Sequence, residues 1–285
     1  MQYNKPFKTI KEQIELLKER GLIIEDEEYA SFFLEHINYY HLSAYTKTFQ
    51  NKSDNFTDGT KFEDVINIYK FDRKLRLLFL GLLEKIEISF KSILSYELTK
   101  DKDDIYWYSK KENYTKEDVI DKFVDNLKES NEKFIIKFYE KYTDSDYPPA
   151  WMFFESLSFG ECRFLANSLH DNDKQIISAA YKLSKKTTLQ MFYYMASLRN
   201  ICAHHSWLWN KRFSSKIGKI KGYESLFTED RNQLFDYLLV LQILLSIITP
   251  ESIWIEKLKD LIEEYGIATY RMGFPDDWKE KLESI

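Results

Sequence analysis

Glycine and proline are too scarce in this chain to punctuate a sheet. It has 8 glycines and 5 prolines in 285 residues, where average usage gives about 20 and about 14. Sheets and long loops need these residues at their turns, so the shortage predicts helices joined by short connections, an all-α fold. The 20 Tyr, 21 Phe and 6 Trp exclude disorder, because so many aromatic side chains can bury enough apolar surface to offset the entropy of ordering. The length suits one large domain or two small ones.

Thr9-Ile-Lys-Glu12 has capping-box spacing and Gly21 supplies a stop, which predicts a first helix over residues 10–20. Asp26 opens a second helical stretch, expected to run through Tyr45. The polar, turn-rich segment from Asn51 to Gly59 separates an N-terminal helical subdomain (residues 1–57) from a helical core (58–250), with short C-terminal helices in an extension (251–285). Thr60-Lys-Phe-Glu63 repeats the capping-box spacing and predicts the longest helix, to about Leu98. Its apolar residues Leu75, Phe79, Leu82, Ile86, Phe90 and Ile93 recur at three and four positions, as a core-facing stripe requires. A different face carries Arg73, Arg76, Glu84, Glu87 and Lys91, and Asp72 and Arg76 are spaced for an ion pair. Further helices are expected near 116–128, 131–142, 151–157, 161–169, 172–182, 188–204, 229–248, 252–264 and 276–283.

Two cysteines, Cys162 and Cys202, are too few for a disulfide framework or a zinc cluster. The start, MQYNKPFKTIKEQIELL, lacks the apolar run and small-residue cleavage site of a signal peptide. The most apolar stretch, Leu234 to Ile248, is 15 residues long and interrupted by Asp236, Gln242 and Ser246, so it predicts a buried core helix too short to span a bilayer. A cytoplasmic protein with no membrane partner is the expectation.

The net charge of −5 weighs, as an average, against nucleic acid as a partner. Its distribution does not. Ten of the 41 basic residues and none of the 46 acidic ones lie between Lys174 and Tyr223, so the other 235 residues together carry −15. Such a stretch is either a solvated basic face or an electrostatic footprint for phosphates.

Inside it lies Leu198-Arg-Asn-Ile-Cys-Ala-His-His-Ser-Trp-Leu-Trp-Asn-Lys-Arg212, which joins the end of an apolar helix to a basic, tryptophan-containing loop. Asn200 and His204 are four apart on one helix face, and Arg199 can reach over the same patch. An imidazole moves protons near neutral pH, and a guanidinium holds phosphate oxygens and stabilises a pentacoordinate phosphorus. With no carboxylate nearby in sequence, Arg199, Asn200, His204 and His205 suit phosphodiester cleavage without a metal or other cofactor. Two adjacent histidines cannot easily bind one ion, and no third ligand is local. The alternatives are structural: His204 and His205 serve only to terminate the helix, Arg199 pairs with Glu84 or Glu87, and Trp207 and Trp209 pack in the core with Leu208 and Phe213.

Arg199-Asn200-x-x-x-His204 resembles the R-N-x-x-x-H signature of the HEPN superfamily, many of whose members are metal-independent ribonucleases. The wider chain resembles the Abi-like (abortive infection, AbiD/AbiF type) family in Lys5-Pro6, Gln13 to Gly21, Asn38-Tyr39-Tyr40, Tyr69-Lys-Phe-Asp-Arg-Lys-Leu-Arg76, Glu84-Lys-Ile-Glu87, Trp151, Ser158-Phe159-Gly160, the RNICAHH-x-x-LWN block and Met272-Gly-Phe-Pro275, in that order. The resemblance implies a HEPN-like helical bundle, bacterial phage defence and partnership with a structured non-coding RNA. It assigns Arg199 and His204 to the catalytic pair and Asn200 to the polar position beside the arginine. His205 satisfies the looser R-x5-H spacing, so which histidine acts stays open. Only one such motif is present, where HEPN sites are usually built from two, so a homodimer is expected. Lys185, Lys186, Lys211, Arg212, Lys216, Lys219 and Lys221 are the residues expected to hold the RNA backbone, with Trp207 or Trp209 stacking an unpaired base. An RNA-binding module without turnover, gripping phosphate at the same site, is the second expectation.

Overall fold

The computed structural model describes residues 6–285; Lys5, part of the N-terminal resemblance, lies outside them. Thirteen α-helices form the fold: α1 (Ile10–Glu19), α2 (Glu27–Ile37), α3 (Tyr39–Thr46), α4 (Phe62–Lys102), α5 (Asp121–Lys128), α6 (Lys133–Lys141), α7 (Ala150–Ser156), α8 (Phe159–Ser168), α9 (Asp171–Ala180), α10 (Lys185–Ala203), α11 (Leu234–Ile248), α12 (Trp254–Tyr265) and α13 (Trp278–Glu283). Among the described residues, extended pairing is confined to isolated bridges, and the all-α expectation is met. No helix of the described residues is long and apolar enough to cross a membrane.

The long helix α4 is the axis of the molecule, and α3, α7, α9, α10, α11 and α12 all pack on it. Its apolar stripe runs the whole length, from Val65 through Leu75, Phe79, Ile86 and Phe90 to Leu98, all buried. Phe90 meets Phe192 of α10 with ring centroids 4.1 Å apart. Helix α11 is buried on every side from Leu234 to Leu241, which is why its sequence shows no polar face. Near the C-terminus, Gly273 stands at φ +81°, where a side chain would collide with Gln233. The turn in Met272-Gly-Phe-Pro275 therefore needs glycine.

Several helix starts differ from the sequence expectation, among them α5, which begins at Asp121 after a 3-10 turn over Glu117–Val119, and three others have a visible cause in the hydrogen bonding. The stretch opened by Asp26 is two helices, broken at Asn38 (φ 63°, ψ 155°). Asn38 Oδ1 accepts the His41 N–H at 2.9 Å and so begins α3 in a new direction. The cap of α4 lies one residue on: Asp64 accepts the Lys61 N–H at 2.8 Å. Thr60 instead uses its hydroxyl on the Thr57 carbonyl and its own carbonyl on the Ile23 N–H. Helix α11 starts at Leu234 rather than near residue 229, because the carbonyls of Arg231 and Asn232 accept the N–H groups of Ile217 and Phe213. Asp236 caps the delayed start by accepting from Thr228 and Gln233.

Candidate functional site

Helix α10 ends in the stretch with the chemistry. His204 is its C-cap, and the chain reverses through a Schellman turn: the His205 N–H reaches the Cys202 carbonyl at 3.3 Å and the Ser206 N–H reaches the Ile201 carbonyl at 3.0 Å. This turn puts His205 at φ 57°, a left-handed conformation normally left to glycine. The side chains of His204, His205 and Asn200 are exposed. Both histidines do terminate the helix, and they also face a cleft.

One carboxylate fixes the segment that follows. Asp72 on α4 is fully buried. Its Oδ1 accepts the N–H groups of Leu208 at 3.0 Å and Trp209 at 2.8 Å. Its Oδ2 accepts the Tyr45 hydroxyl of α3 at 2.7 Å and the guanidinium of Arg76, which is also buried. Asp72 thus ties α3, α4 and the loop after α10 to one point. The spacing of Asp72 and Arg76 marked the pair, but Arg76 was expected on a polar face and lies in the interior. Trp209, 3% exposed, adds a second tie through its indole N–H to Thr48 Oγ1 at 2.8 Å. It packs edge-on against Phe71, so it serves the core. Trp207 is 47% exposed, with Lys211 Nζ 5.0 Å from its ring centre.

These ties shape two adjoining cavities. The larger, about 740 Å³, lies between α3 and the loop and is lined by Tyr40, His41, Lys47, His204, His205, Trp207 and Asn210 among others. The second, about 340 Å³, runs back along α4 and is lined by His36, His41, Arg73, Arg76, Cys202 and His205 with apolar neighbours. His41 and His205 belong to both, and neither lining contains a carboxylate. Burial, and after it the charge of Arg76, push the His41 imidazole below its usual value, which favours the neutral ring. Cys202 is no nucleophile, since burial pushes its thiol up to about 12. Among the described residues no group of three or more His, Cys, Asp and Glu side chains could hold a metal ion.

Arg199 lies elsewhere. It lines a third cavity, about 470 Å³, with Glu84, Glu87, Ile88, Lys91 and Glu155. Its Nε is 3.3 Å from Glu87 Oε2, and Lys91 shares the same glutamate at 3.4 Å. No carboxylate stands near the arginine in sequence, but α4 supplies one in three dimensions, and of the two partners the structural alternative named, Glu84 and Glu87, it is Glu87 that pairs. The basic segment is also less free than its sequence. Lys185 pairs with Asp171 at 2.5 Å and Arg212 with Asp230 at 2.7 Å, both acids lying just outside the acid-free stretch. Lys211 is half-buried, and burial lowers its pKa. Lys186, Lys216, Lys219 and Lys221 are exposed.

Sequence reasoning missed His41, Asp72 and Tyr40 as parts of the site. Tyr40 ends the quoted Asn38-Tyr39-Tyr40 segment and His41 follows it directly, and Asp72 stands in the quoted long-helix segment, but nothing in their spacing links them to residue 205, more than a hundred positions away.

No curated protein and no solved structure matches this chain in the comparisons made. A family model described as Abi-like protein matches residues 32–210. The match takes in α3, α4, α10 and the loop as far as Asn210, and stops before Lys211, Arg212, Lys216, Lys219 and Lys221. It covers the elements that Asp72 holds together and more than half of the 285 residues, and the chain accordingly belongs to the Abi-like protein family.

Proposed function

We propose that this protein is a metal-independent endoribonuclease of HEPN type, acting in bacterial abortive infection in the cytoplasm and binding a structured non-coding RNA. The observation that carries the reading is the carboxylate-free cleft in which His204 and His205 meet His41, Lys47 and an exposed Trp207. Imidazoles there can move protons between a ribose 2′-OH and a leaving 5′-oxygen, while cations and an aromatic face hold phosphate and base. Lys186, Lys216, Lys219 and Lys221 are exposed cations of the same basic segment, and Asn200 stands exposed one turn before His204 on α10. A homodimer would bring a second copy of the motif. Leu77 and Ile88, exposed on α4 beside the Arg199 cavity and the cleft, offer apolar surface for such a contact.

A second reading has its own support. Arg199 lies in a cavity apart from the imidazoles, so guanidinium and imidazole do not converge on one phosphorus within the chain, which a phosphate grip without turnover does not require. Incubating wild type, His204→Ala, His205→Ala and Arg199→Ala with labelled RNA in EDTA separates the two. The ribonuclease cleaves to a cyclic phosphate end, and the histidine variants lose about 100-fold or more. RNA retention without cleavage by any of the four establishes the grip, and cleavage that requires magnesium overturns the metal-independent mechanism. A strictly monomeric active species in solution mass measurement removes the dimer.

A further inference from the structure

We infer that His41 is the second proton-transfer residue of the site, so that each chain carries a complete imidazole pair, His41 and His205, without a histidine from another copy. The inference rests on the ribonuclease reading and departs from it in one respect: the second proton-transfer group comes from the same chain, so a homodimer is not needed to supply it.

Four observations converge on this pair. First, His41 and His205 are the imidazoles that line both cavities. Second, each is presented by backbone that a non-glycine residue rarely adopts. Asn38 at φ 63°, ψ 155° breaks α2 from α3 and caps His41 directly, and His205 itself sits at φ 57°. Such conformations are unfavourable for residues other than glycine and persist where surrounding structure holds them. Third, the holding structure is the Asp72 carboxylate. It binds Tyr45, one turn beyond His41 on α3, and the N–H groups of Leu208 and Trp209, just beyond His205. One buried group therefore sets the distance between the two histidine-bearing segments. Fourth, the His41 ring is seated edge-on against Tyr69 and close to Tyr45, which limits its freedom as a positioned base requires.

The charged and titratable groups facing His41 are Arg76 and Asp72 of α4 and His205 of the loop, with Arg73 and His36 on the wall of the smaller cavity and His204 and Lys47, itself paired with Asp54, on that of the larger. Burial, and after it the charge of Arg76, lower its pKa against the opposing charge of Asp72, which favours the neutral ring that accepts a proton. The step then balances within one chain. His41 takes the proton of the ribose 2′-OH, the 2′-oxygen bonds to phosphorus, and the bond from phosphorus to the 5′-oxygen breaks. Protonated His205 gives its proton to that 5′-oxygen. The products are a 2′,3′-cyclic phosphate and a 5′-hydroxyl, and the two rings regain their starting states by proton exchange with water. Arg73, exposed on the wall of the smaller cavity beside both imidazoles, is a cation within that cavity to hold the phosphate.

The test measures RNA cleavage in EDTA from pH 5.5 to 8.5 for wild type, His41→Gln, His41→Phe and His205→Gln, with RNA affinity and thermal melting beside it. His41→Phe preserves the ring packing should His41→Gln melt early. The expected result is a loss of about 100-fold or more in kcat for both His41 variants with RNA affinity within about threefold, and loss of the acidic limb of the wild-type profile. If a folded His41 variant cleaves at the wild-type rate with both limbs intact, His41 is not the base, and the ribonuclease reading stands without it. If wild type binds RNA and does not cleave it, the ribonuclease reading falls and the proton-transfer role falls with it. Activity restored by mixing His41→Gln with His205→Gln chains would place the working pair across two copies and overturn the single-chain site.

Discussion

The two ends of the Arg199 to His205 segment lie six residues apart and face opposite electrostatic surroundings. At one end Arg199 points along α4 into a cavity with Glu84, Glu87 and Glu155 and is engaged by Glu87. At the other, His204 and His205 open on a cleft whose lining has no carboxylate at all. The motif is continuous in sequence, but α10 rotates its members by about 100° per residue, and the Schellman turn redirects the last of them. The difference teaches that α4 governs both ends through two acids of opposite use. Asp72 is buried and spends its four hydrogen bonds on holding the cleft together. Glu87 is partly exposed and restrains the arginine.

His205→Gly is the sharpest way to separate function from fold at the cleft end. Glycine suits φ 57°, so the variant should keep its stability or gain up to about 1 kcal/mol. Cleavage should fall by about 100- to 10,000-fold. Melting curves and RNA cleavage measured on one preparation check both halves. A variant that keeps its activity would return His205 to the role of a helix terminator.

Asp72→Asn should cost about 3–5 kcal/mol, because Arg76 is left buried without its counter-charge. Urea unfolding measures the loss. Amide exchange should show the Leu208 and Trp209 N–H groups opening before α10. A variant of wild-type stability would mean that the cleft does not depend on this carboxylate.

The smallest effect belongs to the arginine end. Glu87→Gln releases a partly exposed pair worth about 0.2–1 kcal/mol. RNA affinity at low salt should therefore rise by about two- to fivefold, and the gain should vanish as salt is raised. Weaker binding instead would show that Glu87 orients Arg199 rather than restraining it.

Local patterns made the helices readable. Thr9 and Glu12 form the expected reciprocal cap, with the Thr9 N–H donating to Glu12 at 2.6 Å. Leu234 to Ile248 is the buried helix its composition called for. Asn38 defeated the reading because a single residue at positive φ leaves almost no trace in hydrophobic period. The start of α11 defeated it because its would-be first turn bonds to residues 213 and 217 instead. At the site, Arg199, Asn200, His204 and His205 were readable because they are contiguous. His41 and Asp72 were not, because their roles arise from contacts across 136 and more positions.

By itself, then, the sequence determined an all-helical scaffold, the position of its long axis and a histidine pair at the end of α10. Those depend on propensity, capping and period, which act within a few residues. The spacing marked Asp72 with Arg76 and offered Glu84 or Glu87 to Arg199; tertiary structure decided between those two and set every longer-range contact of the site. A carboxylate's partner is set by where helices pack, and only packing could bring Glu87 to Arg199, Asp72 to the loop and His41 to His205.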